Sequence, residues 1–431
     1  MTSFFAPNTH TPASCSSSSS SPCQSPRDVV QIIVVGAGLI GPRHCQHVYN
    51  RPDCKLAALI DHSANGPQCA AQLDTALFRS VDQYLEYLES HGLPYPDGAI
   101  IATPNHTHVD LGMKLAAHGI HLLIEKPLHS DPVECKKLIE YCYAQNVKLL
   151  IGHHRRFNPY ILKTKKNLDK IGRPIAIQGT WCLKKNHDYY LEKKWRVDRS
   201  AGGGTLLINL VHDLDLLLYL MGPVSKIYAE LLVPQREFEV DEGAILTLSF
   251  KNGCKGTFIC SDNIISPFNF ETGTGENPNV PHMADLSGFY RIFGSRGTLS
   301  VPDLNLYHQN SLKTAQVAVS DSHHGSWLEP IEVTNVSNVS IEDDYSGEAD
   351  PSEIGLRTPT PSPPNSGEFM KPPPKPFDLQ LNHFINLITG AEVRSSCSGE
   401  DALNALLCIE TVLKSIDSGK PEYVPDLESF I

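Results

Sequence analysis

Residues 29–44, "VVQIIVVGAGLIGPRH", decide the fold. Six of the first seven are branched and apolar, with Gln31 the one polar residue, as in a strand buried on both faces of a parallel sheet. The run leads straight into Gly36, Gly38 and Gly41, spaced G-x-G-x-x-G, with Leu39 and Ile40 between the last two. Alone that spacing is weak. Between a strand and a helix it reads as a turn for a dinucleotide phosphate. The first glycine permits the tight turn, the second lets the backbone approach a pyrophosphate, and the third lets helix and strand pack closely. The helix N-terminus adds free N–H groups and partial positive charge. Asp61 ends the next strand, 20 residues after Gly41. A carboxylate there accepts hydrogen bonds from the adenosine ribose hydroxyls and repels a 2′-phosphate, so NAD is expected ahead of NADP. The alternative is a glycine turn with no ligand.

Outward from this stretch, apolar strands at 55–60, 98–102, 121–125 and 147–151 alternate with helical patterns. The alternation predicts a doubly wound α/β domain over residues 29–151. One helix start is well marked, with Asp131 as N-cap, Pro132 at the first helical position and Glu134 placed to close a capping box. In such sheets ligands bind beyond the carboxyl ends of the strands. That places Thr103, Pro104, Asn105 and His108 of "TPNHTH" beside the cofactor. It does the same for Glu125 and Lys126 of "HLLIEKPLHS" (121–130), where a charged pair ends a buried strand.

After Gly152 the texture changes. A helix is predicted at 205–220, then strands at 223–232, 239–250, 253–262, 288–293 and 297–301, most of them alternating, and helices at 377–389 and 400–418. We read 152–334 with 377–431 as an α+β domain, 1–28 as a disordered tail and 335–376, with "TPTPSPP" and "KPPPKP", as a disordered insertion. A length of 431 residues fits two domains. The net charge of −12 argues against a nucleic-acid partner. No apolar run reaches the ~18 residues of a membrane helix. The N-terminus lacks a secretory or Arg-rich targeting pattern. The 12 cysteines form no C-x-x-C pair and no zinc-spaced cluster, so no metal is expected and free thiols in a reducing cytoplasm are the plain reading.

The 205–220 helix carries an apolar stripe interrupted by Asn209, His212, Asp213 and Asp215. A histidine on such a helix is ordinarily structural. Gly202–Gly204 just before it, which permit close backbone approach to a ligand, and the presence of Lys126 favour a catalytic His212. His212 would take a hydroxyl proton while Lys126 stabilises the resulting alkoxide. The segment "KKNHDYYLEKKW" (184–195) is a candidate lid, and His153, His154, Arg155 and Arg156 add donors. A cleft rich in hydroxyl-binding groups suits a polyhydroxylated small molecule.

Taken together, G-x-G-x-x-G, Asp61, "TPNHTH", "EKPL", "HHRRFNP" (153–159), "WRVD" (195–198) and "GGGTLLINLVHDLD" (202–215) resemble the glucose–fructose oxidoreductase / inositol dehydrogenase (Gfo/Idh/MocA) family. The resemblance covers about 29–330 and resumes at 377–425. It implies a Rossmann domain followed by a domain with a large open, mostly antiparallel sheet, through which members form homodimers or homotetramers. It implies a catalytic lysine at Lys126, with a Lys126–Pro127 bond that is often cis, and a catalytic histidine at His212. It places Arg156, Trp195 and Arg196 along the cofactor–substrate cleft, with Asn209 and Asp213 toward substrate. The implied activity is NAD-dependent hydride transfer at a secondary hydroxyl of a sugar, polyol or cyclic polyol. One departure stands out. Many relatives have an aspartate four residues before the histidine, where this chain has Ile208, with Asn209 beside it. Asparagine can orient an imidazole but cannot take a proton. The competing readings are a non-catalytic NAD(P)-binding regulator on the same scaffold and an NAD-dependent glycosidase.

Overall fold

The computed structural model describes residues 29–309, 326–338 and 375–427. The tail expected at 1–28 and nearly all of the expected insertion lie outside the described residues. Six parallel strands form the first sheet: β1 (Val30–Val35), β2 (Cys54–Ile60), β3 (Leu77–Phe78), β4 (Gly98–Ile101), β5 (His121–Ile124) and β6 (Leu149–Ile151). Their order is β3-β2-β1-β4-β5-β6, the doubly wound arrangement expected from the sequence. Ile32, Ile33, Val34, Ile100 and Ile101 are fully enclosed, which is why these strands are apolar without alternation. The order reverses between β1 and β4, so the crevice opens beyond their carboxyl ends.

The second sheet has nine strands: β7 (Pro174–Cys182), β8 (Val224–Leu231), β9 (Gly243–Phe250), β10 (Lys255–Ser261), β11 (Tyr290–Gly294), β12 (Gly297–Val301), β13 (Asn305–His308), β14 (Glu332–Asn335) and β15 (Glu422–Tyr423). The order is β14-β13-β12-β11-β7-β10-β9-β8-β15, and every pairing is antiparallel except β7 with β10. One face packs on the helices Val211–Met221 and Gly399–Ser418 through residues such as Phe258, Leu246 and Ile227. The other face is open. The ten cysteines among the described residues are all unpaired and buried.

The glycine motif works as its spacing suggests. Gly36 has φ +103°, a conformation that disfavours any side chain, and a methyl group there would strike the Ala102 carbonyl at the end of β4. A methyl at Gly41 would overlap the Gly36 carbonyl oxygen, whereas one at Gly38 would meet nothing within 4 Å. Gly38 therefore faces open space at the loop tip, beside a Leu39 that is 97% exposed.

Two local expectations are corrected. Asp131 caps its helix by accepting from Val133 N–H, at 2.8 Å, but no capping box forms. The Asp131 N–H is already donated to His129 Nδ1 at 3.0 Å, and Glu134 turns instead to Lys137. The expected helix at 205–220 is not uniform either. Leu206–Leu210 is a π-helical turn, and the α-helix proper runs Val211–Met221. The start is set by Asp241, whose carboxylate accepts the Leu206 N–H at 2.9 Å. Gly204, at φ +96°, leaves the space that this carboxylate fills. That glycine thus admits a group of the protein itself rather than a ligand.

Gly41→Ala should destabilise the fold by roughly 1–3 kcal/mol, the usual cost of overpacking. Gly38→Ala should leave stability within about 0.5 kcal/mol while weakening dinucleotide binding. Denaturant unfolding and NAD+ titration of both variants test this separation.

Candidate active site

Beyond the end of β5, Glu125 is buried and its Oε1 meets His44 Nε2 at 2.7 Å. His44 lies on the helix Gly41–Tyr49 that follows the glycine motif, so this bond ties the phosphate turn to the "EKP" turn. Burial pushes the Glu125 carboxyl up, but the hydrogen bond and charge of His44 outweigh it and leave it below its ordinary value. Lys126 follows, with a cis bond to Pro127. Among the described residues its half-buried ammonium has no hydrogen-bond or ion-pair partner. Burial lowers its pKa; Glu125 opposes that and Arg155 adds to it.

Beyond the end of β6, a short 3₁₀ turn, His154–Phe157, follows His153. His212, at the start of the helix Val211–Met221, faces this turn: its ring centroid lies 6.5 Å from that of His153 and 6.1 Å from that of His154. Only 8% of His212 is exposed, and its Nδ1 is sealed with no partner among the described residues. Burial holds its pKa well below 6.5, and the positive charges of Lys126 and Arg155 push it further down. The imidazole is therefore neutral at pH 7, with an unused nitrogen, inside the electrostatic reach of Lys126.

Carboxylates balance the cations beneath. Arg155 donates to Glu271 Oε1 at 2.6 Å, and Trp181 Nε1 donates to Glu271 Oε2 at 2.8 Å. His154 Nε2 meets Glu276 Oε1 at 2.9 Å, and its ring stacks on Phe377 at 4.6 Å. Burial would raise the Glu276 carboxyl, but the charge of His154 and its hydrogen bond hold it down at about 2.

The other expected site residues divide into three groups. At the cofactor crevice, Asp61 accepts the Ala37 N–H at 2.6 Å and the Ser63 N–H at 2.7 Å. Burial pulls its carboxyl up, but bonds from Ser63 and Ala37 leave it below the usual value, so it stays ionised. Thr103, Pro104 and Asn105 lie exposed or half-exposed at the end of β4. The second group lies on the candidate lid or against it. Trp195 is 44% exposed. Arg196 stacks over the Tyr189 ring at 3.8 Å and donates to the Tyr189 carbonyl, while its Nε is sealed without a partner. Asn209, in the π turn, accepts from Lys185 Nζ at 2.6 Å.

The third group is reassigned. His108 was expected at the cofactor; it is fully buried, with Nε2 at 2.8 Å from the Thr103 carbonyl and Nδ1 at 3.1 Å from the Pro127 carbonyl. It clamps the two crevice loops from behind. Arg156 was expected at the substrate; its Nε and Nη2 bind Asp215 at 2.7–3.1 Å, and its Nη1 donates to the Ser396 carbonyl at 2.8 Å. Its donors are spent inside the protein. Asp213 is likewise sealed, accepting from Tyr290 Oη, with Arg155 Nη1 at 3.9 Å. His44 and Lys185 were assigned no role from sequence. His44 had a signal, three residues past Gly41 on the motif helix; Lys185 had none beyond lying in a polar segment. Among the described residues no group of three or more His, Cys, Asp or Glu could hold a metal ion, and no helix is long and apolar enough to cross a membrane.

Two family models cover most of the chain. Residues 30–153 match the oxidoreductase family's NAD-binding Rossmann fold, and 165–425 match its C-terminal alpha/beta domain. The chain belongs to the Gfo/Idh/MocA oxidoreductase family. Among individual relatives, it is 27% identical over 221 residues to levoglucosan dehydrogenase of Pseudarthrobacter phenanthrenivorans, covering 50% of this chain and 57% of that one. It is 32% identical over 197 residues to scyllo-inositol 2-dehydrogenase (NAD(+)) of Bacillus subtilis, covering 45% and 54%. The matches thus span little more than half of each relative. The fold is shared with the WlbA dehydrogenase of Bordetella pertussis, solved with NADH and UDP-GlcNAcA, at TM-score 0.62 and 19% identity over 92% of this chain and 99% of that one. An Agrobacterium radiobacter oxidoreductase solved with NAD+, L-tartaric acid and magnesium has TM-score 0.65 and 14% identity over 93% and 99%.

Burial raises the Asp213 carboxyl to about 7. The folded state then holds a proton that the unfolded chain releases near its ordinary value of 3.8. Its contribution to stability is complete at low pH and is lost as pH rises through about 7. In Asp213→Asn, the fall in melting temperature between about pH 5 and pH 8 should shrink relative to the parent. An unchanged difference would show that Asp213 is ionised in the folded protein throughout.

Proposed function

We propose that the chain is an NAD-dependent oxidoreductase acting on a secondary hydroxyl of a sugar, polyol or cyclic polyol. The observation that carries this is a neutral His212 with neither ring nitrogen bonded among the described residues and with its Nε2 not sealed, within the electrostatic reach of a Lys126 of lowered pKa. The inositol and levoglucosan dehydrogenase relatives support the substrate class.

The residues present suit the dinucleotide. Gly38 leaves open space at the loop tip, where the motif helix offers free N–H groups, and an ionised Asp61 lies at the end of β2 for ribose hydroxyls. Thr103, Pro104, Asn105 and Glu125 would line the same crevice, with Arg196 from the lid segment. When bound, NAD+ supplies the hydride acceptor. The chain supplies the proton chemistry. His212, already neutral, accepts the hydroxyl proton without first losing one of its own. Lys126 donates to the same oxygen and steadies the negative charge that develops on it. Burial moves Lys126 toward the range where such a lysine also exchanges protons. Each group would contribute ~10²–10⁴ in rate.

The open face of the second sheet supports a homodimer or homotetramer. Ile245 and Ile259 sit directly opposite each other in the register of β9 and β10, 47% and 36% exposed, with Phe293 of β11 on the same face. A second copy placed there would cover them.

Two experiments follow. Reduction of NAD+, followed by the absorbance of the reduced nicotinamide, should appear with at least one compound of a polyol and sugar panel. It should fall ~10²-fold or more in Lys126→Ala and in His212→Ala, with NAD+ affinity kept. NAD+ binding without turnover on any compound would favour a regulatory protein. Light scattering should show an oligomer that Ile245→Lys with Ile259→Glu converts to monomer; a monomeric parent would remove that proposal.

A further inference from the structure

The missing family aspartate, at Ile208, leaves a question about the neighbouring Asn209. Asn209 cannot accept a proton, so its use depends on which end of its amide faces the cleft. Lys185 settles the orientation. Its Nζ lies 2.6 Å from Asn209 Oδ1, and an ammonium is a donor only, so the amide oxygen must face Lys185. The Asn209 NH₂ group is then turned the other way. It has no partner among the described residues, and it is not among the sealed polar atoms. It lies in the turn immediately before His212.

Lys185 is held for this task. Its backbone N–H is bonded to the Asp262 carbonyl at 2.9 Å. Its ammonium sits 4.4 Å from the centroid of the Tyr189 ring and 5.6 Å from that of Trp181, and it donates to Tyr189 Oη at 3.4 Å. Aromatic faces hold a cation in place without offering a competing carboxylate. Asn186 caps the helix His187–Leu191 by accepting the Tyr189 N–H at 3.1 Å, which fixes the Tyr189 wall. Tyr190, on the same helix, donates to Asp262, and Arg236 reaches that same carboxylate. The lid segment is thus anchored on the second sheet where Lys185 leaves it.

We propose that Lys185 is a positioning residue: by donating to Asn209 Oδ1 it turns the Asn209 NH₂ into the cleft as a hydrogen-bond donor to an acceptor oxygen of the substrate, one residue after the position where relatives place a carboxylate. This rests on the dehydrogenase reading above for the identity of the cleft. The consequence is a change of polarity. A carboxylate at that point would accept from a hydroxyl, whereas the locked amide selects an ether, carbonyl or carboxylate oxygen, or the lone pair of a hydroxyl. Burial also brings the Lys185 pKa to about 8, with the Asp262 and Glu271 carboxylates and the Cys260 thiol opposing the shift and Arg196 reinforcing it. Once neutral, the amine can accept as well as donate, and the lock loosens.

The test has two arms. In the first, the protein is labelled with ¹⁵N-asparagine and the Asn209 side-chain NH₂ resonance is assigned by its loss in Asn209→Ala. The resonance should titrate near pH 8 in the parent and lose that transition in Lys185→Met. A transition that persists in Lys185→Met arises from another neighbour, such as Asp262, and overturns the proposal, as does its absence from the parent. This arm needs no substrate, so it stands even if the dehydrogenase reading fails. In the second arm, myo-inositol, scyllo-inositol and glucose are turned over with NAD+. With whichever turns over fastest, Lys185→Met should raise KM about tenfold, the worth of one hydrogen bond, with kcat changed less than about threefold and NAD+ affinity unaltered. Lys185→Arg, which still donates, should restore KM. Parent-like KM in Lys185→Met would overturn the proposal even where turnover is robust.

Discussion

The paired contact of Arg156 with Asp215 is the joint on which the site depends. Arg156 follows the last strand of the first sheet, and Asp215 lies on the helix that carries His212. The remaining guanidinium nitrogen reaches the Ser396 carbonyl, just before the helix Gly399–Ser418. One planar cation therefore fixes three segments distant in sequence. Removing either member of such a buried pair strands the other without water, at a typical cost of about 3–5 kcal/mol. The position of His212 over the His153–Arg156 turn is thus a product of packing between the two sheets rather than of the helix alone.

Around that joint the protein concentrates positive charge and then uses it. Lys126, Arg155, His153 and His154 all lie close enough to His212 to disfavour its protonation. Glu271 and Glu276 neutralise Arg155 and His154 directly, and Glu125 is bonded to His44. Lys126 alone in this group has neither a hydrogen bond nor an ion pair among the described residues, since His153 has Asp215 at 3.5 Å. A charge without a partner is costly in a fold and useful in a site, where an incoming oxygen completes it. The same holds for Nε2 of His212, which is neither sealed nor bonded among the described residues.

Local chemistry was legible in the sequence, and distant chemistry was not. Strand runs and the glycine spacing depend on neighbours a few residues apart, and they led to the doubly wound class of fold. The short strands β3, β13, β14 and β15 escaped because two to four residues carry too little periodicity, and the nine-residue β7 at the centre of the second sheet escaped as well. Arg156 and Asp213 were expected at the substrate from the family resemblance, which says nothing of the partners each has in this chain. Their partners, Asp215 and Tyr290, lie 59 and 77 residues away. Lys185 was passed over for the complementary reason, since nothing in a polar segment marks the one lysine that folds back onto an asparagine 24 residues later. The π turn is invisible to a 3.6-residue pattern. It inserts one residue beside the helix that carries His212, and such irregularities often recur at functional positions.

The concealed thiols have a practical corollary. Cys45, Cys54, Cys135 and Cys142 lie on the first sheet's helices and strands, Cys182 and Cys260 on strands of the second, Cys397 against β6 and Cys408 on the helix Gly399–Ser418, all with burial as the leading cause of a raised pKa. A thiol that is both hidden and protonated ignores alkylating reagents until its surroundings part. The two halves of the molecule therefore carry built-in gauges of their own breathing. The order in which these sulfurs become reactive would map which half opens first, with no probe added to the chain.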